Sequence, residues 1–277
     1  MNQISPLQRF ITYTGLILFY LFLLVPIIWL VLSSFRTADS IQSGRLLPAP
    51  GELTFNNYLE AFRISNFPVF LGNSFMIAVT VMLIVVFIGS LGAYSLSRFA
   101  LRGKSLFMLA ALMPQFFPYV LILVPFYLLM SNLGLVDTHF GIILTHTSIT
   151  LPFALWMLTG YFNAIPQELD QAAAIDGCSR LGVLFRIIYP VALPGLVVAG
   201  FFAFVVSWGD YLFVSILSQS NGTQTLPIGL QTFMSSLEVK WGLITSGTVI
   251  AIVPTIVFFG IVQRRLIAGL TAGAVKS

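Results

Sequence analysis

The sequence predicts an all-α polytopic membrane protein with about six transmembrane helices, on three observations. The 277 residues are 58% hydrophobic and only 8% charged, with a mean hydropathy of +0.97. Ordinary soluble domains run roughly 45–50% apolar and about 25% charged, so 13 Lys/Arg and nine Asp/Glu are too few to solvate such a surface. Second, the segments 10–35, 64–97, 105–136, 138–167, 187–209 and 241–263 contain no Asp, Glu, Lys or Arg. Each is long enough for the roughly 20 residues that cross a bilayer as helix. Third, none shows the strict alternation of a barrel strand. The whole chain, 1–277, is expected to form one transmembrane domain.

The first span is expected over 12–34. Its apolar run is too long for a cleaved signal core, which argues for a retained helix. The following loop contains "LPAPG", which breaks regular structure. "TFNNYLEAF" then predicts a short helix with Thr54 as cap and Tyr58, Leu59 and Phe62 on one face, a lip or a surface for an external partner. The second span, 71–96, ends in "GSLGAYSLSR", small residues suited to close packing and a basic anchor.

The third span, 106–130, carries Pro114, Pro118 and Pro125, with Gln115 beside the first. Broken helices in a membrane must line protein or water, so either a solute pathway with Gln115 on it or plain bends fit. The fourth, 139–161, holds Thr145, His146, Thr147, Ser148 and Thr150, expected to point inward. His146 suits a pathway contact or a packing hydrogen bond, and Ser148 joins it as a pathway candidate. The fifth, 191–217, is interrupted at "SWGDYLF". A carboxylate there requires a cavity, a partner or the interface, and Asp210 alone is a poor proton relay. The sixth spans 243–263 and ends at Arg264 and Arg265, read as anchors.

Orientation follows from the basic residues. The N-terminus, the 98–104 and 165–190 loops and the C-terminus hold Arg9, Arg98, Arg102, Lys104, Arg180, Arg186, Arg264, Arg265 and Lys276. The opposite side holds Arg36, Arg45, Arg63 and Lys240. Nine against four predicts both termini inside. The net charge of +4 reflects this topology rather than nucleic-acid binding.

"IPQELDQAAAIDGCSRLGVLFRIIYP" (165–190) is the one long polar stretch, and the charge count makes it cytoplasmic. Pro166, Glu168 and Asp170 suit a helix start, Asp176–Gly177 a left-handed exit, and Ser179 the cap of a second helix. Ala172 and Ala173 leave a closely approachable surface. Docking to a cytoplasmic partner and packing beneath the bundle fit this pattern equally.

The stretch resembles the signature loop of the integral-membrane subunits of ABC importers: Glu-Ala-Ala, three residues, Gly, nine residues, Ile, one residue, Leu-Pro. Ala172, Ala173, Gly177, Ile187 and Pro190 match in type and spacing, while Gln171 and Tyr189 replace the Glu and Leu. "SWGDYLF", "TLPIGL" and "QRRLIAGLTAGAVK" extend the resemblance over nearly the whole chain, to the second permease of the carbohydrate (maltose-type) branch.

The resemblance implies a permease subunit for a sugar, oligosaccharide or related polyol, or a glycerol phosphate compound, in a bacterial or archaeal plasma membrane. It implies a homologous second permease, a cytoplasmic ATP-binding subunit dimer using ATP and Mg, and an extracytoplasmic solute-binding protein. Asp170, Gln171, Ala172, Ala173, Asp176 and Gly177 would form a coupling helix and its exit between the fourth and fifth spans, with Arg180 reaching the ATPase.

The chain lacks the G-x-x-x-x-G-K-[ST] phosphate loop, so no ATP hydrolysis and no cofactor of its own are expected. A single Cys178 and two His exclude a disulfide framework and disfavour a metal site. An ATP-independent secondary transporter or channel would need coupling carboxylates or an inverted repeat. A membrane-embedded enzyme would need a nucleophile–base constellation. Neither pattern is evident.

Overall fold

Helices account for the elements of the computed structural model, which describes residues 5–64, 66–234 and 239–274, with side chains up to Gln263 except that of Ile64. In chain order they are α1 (Pro6–Ser34), α2 (Ala38–Gln42), α3 (Asn56–Ile64), α4 (Phe67–Arg98), α5 (Lys104–Leu112), α6 (Tyr119–Asn132), α7 (His139–Asn163), α8 (Glu168–Ile175), α9 (Arg180–Val183), α10 (Tyr189–Gly209), α11 (Leu212–Leu217), α12 (Leu226–Gln231) and α13 (Trp241–Ala274). Five helices are long and apolar enough to cross a membrane, or six if the bent pair Lys104–Phe116 and Tyr119–Asn132 is one span. Among the described residues there is no strand, only isolated bridges at Arg36–Leu53 and Met234–Val239. The anchoring expected of Arg264 and Arg265, and the charge of Lys276, lie outside the described side chains.

Two compact units divide the chain, Met1–Asn66 with Leu230–Val253, and Phe67–Gly229 with Pro254–Ser277. In the first, α1 starts at a capping box: the Ser5 hydroxyl accepts from the Gln8 amide, the Gln8 side chain from the Ser5 amide, and Pro6 takes the first turn. Only Ser33 and Ser34 of α1 are buried, so its exposed Phe, Leu and Ile side chains call for hydrocarbon rather than water. The loop after it closes around Arg36, which is 1% exposed. Its guanidinium donates to the Ser40 hydroxyl and carbonyl and to the Arg45 carbonyl at 3.0, 2.6 and 2.8 Å. Glu52 accepts from Ser40 and from the Ala49 amide and pairs with Arg45. The backbone bond from Ala49, then that from the Ser40 hydroxyl, hold the Glu52 carboxyl below its ordinary range. Thr54 accepts from the Asn56 amide at the start of α3, as the sequence suggested.

In the second unit α4, α7 and α10 form the core. Their buried residues recur every fourth position: Ile142, His146, Thr150, Ala154, Leu158 and Phe162 along α7, and Val81, Val85, Gly89 and Ala93 along α4. Such rows interlock as ridges and grooves, and in lipid this close fit rather than apolar burial drives association. Gly195 of α10 is an extreme case, since a Cβ there would lie 2.6 Å from the Tyr161 ring. Tyr189, in the position of the signature's Leu, hydrogen-bonds Ser90 of α4.

The third span departs from the single helix expected over 106–130. A 3-10 turn (Met113–Phe116) follows α5, and the pair bends by 104° before α6. Pro114 and Pro118 remove backbone donors at that point, while Pro125 is carried inside α6. The fifth span also starts earlier than 191. A π-helical turn (Leu184–Ile188) joins α9 to α10, making an apolar helix over Arg180–Gly209.

Candidate functional site

The 165–190 segment folds as helix, turn, helix. Glu168 and Asp170 lie in the first turn of α8, where carboxylates meet the positive helix end. Gly177 has φ of +80°, with Cys178 N donating to the Ala173 carbonyl and Gly177 N to that of Ala174. These two bonds make a Schellman exit, which needs a left-handed residue at Gly177. Ser179 then accepts from the Gly182 amide and caps α9.

The helix has two faces. Ala173 is buried in the core beside Val183 and Leu184. Gln171, Ala172 and Asp176 are exposed, and Ile175 is 86% exposed. Arg180 is exposed but lies over the Phe99 ring at 4.9 Å, a cation–π contact.

The inward face is tied down by charge. Arg98, the last residue of α4, has Nε 2.9 Å from Asp170 Oδ2, and their side chains are 7% and 17% exposed. The Nε–H is not aligned on that oxygen, so the contact is an ion pair rather than a hydrogen bond. Tyr94 donates to Asp170 Oδ1 at 2.9 Å. Arg98 also donates to the Phe162 and Ile165 carbonyls at 3.0 and 3.2 Å, capping the end of α7. One guanidinium thereby joins α4, α7 and α8. The sequence identified Arg98 only as an anchor, and nothing local to it signals a partner 72 positions away.

Of the pathway candidates, the fold brings His146 and Asp210 together. One ring nitrogen of His146 is 2.7 Å from Ser207 Oγ and the other 3.2 Å from Asp210 Oδ2. Asp210 Oδ2 also accepts from the Phe213 and Val214 amides at 3.1 Å, so it caps α11 where α10 breaks. Gln115 donates to the Ile149 carbonyl at 3.3 Å, bridging the broken third span to α7 near Pro152. Ser148 is exposed on another side of α7 and bonds its own helix at Leu144. Sequence reasoning missed Ser207, which sits one helical turn before Asp210.

At the opposite end of this unit, Asp137 clasps the 218–225 loop. Its Oδ1 accepts from the Gln219 and Ser220 amides and the Ser220 hydroxyl at 3.0 Å, and from the Thr223 hydroxyl. The Thr223 hydroxyl, then the Gln219 amide and Ser220, hold its carboxyl down at about 2. Asn73 donates to the Gly222 and Gln224 carbonyls at 2.8 Å and bonds His139 through its oxygen. Among the described residues no three His, Cys, Asp or Glu side chains could hold a metal ion.

Apolar helices long enough to cross a membrane, with one span broken at prolines and another at a capped carboxylate, together with the helix–turn–helix loop, define a carbohydrate-type ABC importer permease subunit. The chain belongs to the family described as binding-protein-dependent transport system inner membrane component, whose profile matches residues 85–271. It is 34% identical to the Sulfoquinovosyl glycerol transport system permease protein SmoH of Agrobacterium fabrum, over 91% of this chain and 89% of that one. It is 35% identical to the Trehalose transport system permease protein SugB of Mycobacterium tuberculosis, over 91% and 92%. With the Trehalose/maltose transport system permease protein MalG of Thermococcus litoralis it shares 31%, over 98% of each chain. The fold matches a chain in the crystal structure of a bacterial ABC transporter involved in the import of the acidic polysaccharide alginate, with a TM-score of 0.82 at 24% identity, covering 95% of this chain and 99% of that one.

Proposed function

We propose that the chain forms half of the translocation pathway of an ATP-driven importer for a sugar, oligosaccharide or related polyol, acting as one transmembrane domain beside a homologous second permease. The relatives named for trehalose, maltose and sulfoquinovosyl glycerol support that substrate class; a glycerol phosphate compound is the second reading within it. An extracytoplasmic binding protein delivers the solute, and ATP and Mg act in a cytoplasmic ATPase dimer. Both termini and α8 face the cytoplasm of a bacterial or archaeal cell, as the basic residues favour.

One observation carries the coupling reading: α8 is bonded inward through Asp170 and bare outward at Ile175. A helix built this way can seat Ile175, Ala172 and Gln171 in a cleft of the ATPase and pass its displacement to α4 and α7 through Arg98. Asp176 and Gly177 fix the exit, and Arg180 flanks the contact. Interconversion of two discrete packings then opens the bundle to either side. Gln115, His146, Ser148 and Asp210 are proposed near the pathway, with His146 and Asp210 shaping the break between α10 and α11 rather than holding solute.

The test is uptake of labelled disaccharides by vesicles holding the complete importer and its binding protein. Uptake driven by ATP and competed by sugars supports the reading. A binding protein that retains a polyamine or a peptide and no sugar contradicts it.

A further inference from the structure

A cleft of about 600 Å3 opens between α5 and α7, in the second unit. Arg98, shortly before α5, bonds Phe162 near the end of α7, and Gln115, just after α5, bonds Ile149 earlier in α7, so the two helices run in opposite directions and the first residues of α5 lie near the last turn of α7. That end of the cleft is polar, lined by Lys104, Ser105, Thr159 and Asn163. Further along both helices the walls are Met108, Leu112, Trp156 and Met157. Lys104 is exposed, and among the described residues no carboxylate lies within ion-pair distance of it.

We propose that this cleft is a binding site for an anionic phospholipid. The ammonium of Lys104 would meet the phosphodiester, with the Ser105 and Thr159 hydroxyls and the Asn163 amide as further donors. The upper acyl segments would lie along Met108, Leu112 and Trp156. A free phosphate would leave those apolar walls uncovered, and a neutral sugar would leave the cation unpaired, so the lining selects an amphiphile with a negative head. Basic pockets between helices near the cytoplasmic surface recognise lipids by this chemistry, and Lys104 lies at the end that the basic-residue count puts there.

The structure also supplies a way to block the site. Gly160 lines the cleft, and a Cβ built there has no heavy atom within 4 Å. Gly160→Phe would therefore place its Cβ without a clash and project a ring into the cleft.

The test is native mass spectrometry of the complete importer, delipidated and titrated with dioleoylphosphatidylglycerol or dioleoylphosphatidylcholine, with thermal stability measured on the same samples. The native complex should bind one phosphatidylglycerol about five-fold more tightly than phosphatidylcholine, the preference one basic residue of about 1 kcal/mol provides. Lys104→Gln should equalise the two lipids and Gly160→Phe should lose the bound lipid, both with unchanged stability. Arg102→Gln, which removes a charge outside the cleft lining, should keep the preference. The proposal is overturned if the native complex binds both lipids equally. It is also overturned if Arg102→Gln acts as Lys104→Gln does, or if the assembled complex holds no lipid there because the second permease fills the cleft.

Discussion

Asp170, on a loop helix, and Arg98, at the end of a long apolar helix, form a largely buried ion pair at 2.9 Å. The same guanidinium caps α7 through two carbonyls. Removing one partner of a buried pair costs about 3–5 kcal/mol, because the other charge is stranded. Arg98→Ala strands Asp170 and frees two carbonyls, whereas Asp170→Asn leaves an Arg98 that still bonds both carbonyls and keeps a polar group beside Tyr94. Arg98→Ala should therefore lower the melting temperature more than Asp170→Asn. If the two substitutions melt alike, Arg98 is not the shared joint.

Asp210 accepts two amides of α11 as well as bonding His146. Losing such a cap costs about 0.5–2 kcal/mol. Asp210→Ala should destabilise by that amount, and Asp210→Asn, which retains an acceptor oxygen, by less. Equal effects in thermal unfolding would remove the capping role.

Gly195 admits no side chain beside Tyr161. Gly195→Leu should destabilise by about 1–3 kcal/mol through overpacking. Adding Tyr161→Ala should recover part of that loss. Additive losses in the double variant would contradict the contact.

Asp137 has its carboxyl pushed down to about 2, first by the Thr223 hydroxyl. A depressed carboxylate contributes stability that is fully present above its unfolded value of about 3.9 and is lost as pH falls toward 2. Melting temperature in the native protein should therefore fall between about pH 4 and pH 2. Asp137→Asn should flatten that slope, since it removes the titrating group while its oxygen still accepts. An unchanged slope in Asp137→Asn would assign the acid sensitivity to other groups.

Much of this was legible in the sequence. Charge-free segments locate the spans because hydrocarbon excludes ions, and the Asp176–Gly177 exit and Ser179 cap follow from local backbone chemistry. Prolines 114 and 118 signalled a disturbed third span, but the size of the bend depends on packing that no local pattern encodes. Pairings such as Arg98 with Asp170, or Ser207 with His146, arise only when α4, α7 and α10 come together. The sequence left packing and docking of α8 evenly matched; burial shows that the helix has a packed side at Ala173 and a bare one at Ile175, a difference that no local pattern encodes.

The central claim is that α8 couples this permease to an ATPase. It is tested most directly by solute-stimulated ATP hydrolysis in the reconstituted importer, comparing the native protein with Gly177→Pro and Ile175→Asp. Proline cannot take the φ of +80° at Gly177, and a carboxylate at 175 charges the bare tip of the helix. Both variants should assemble in the membrane yet lose at least about ten-fold in solute stimulation, a change of about 1.4 kcal/mol in coupling. Stimulation equal to that of the native protein in both would contradict the account.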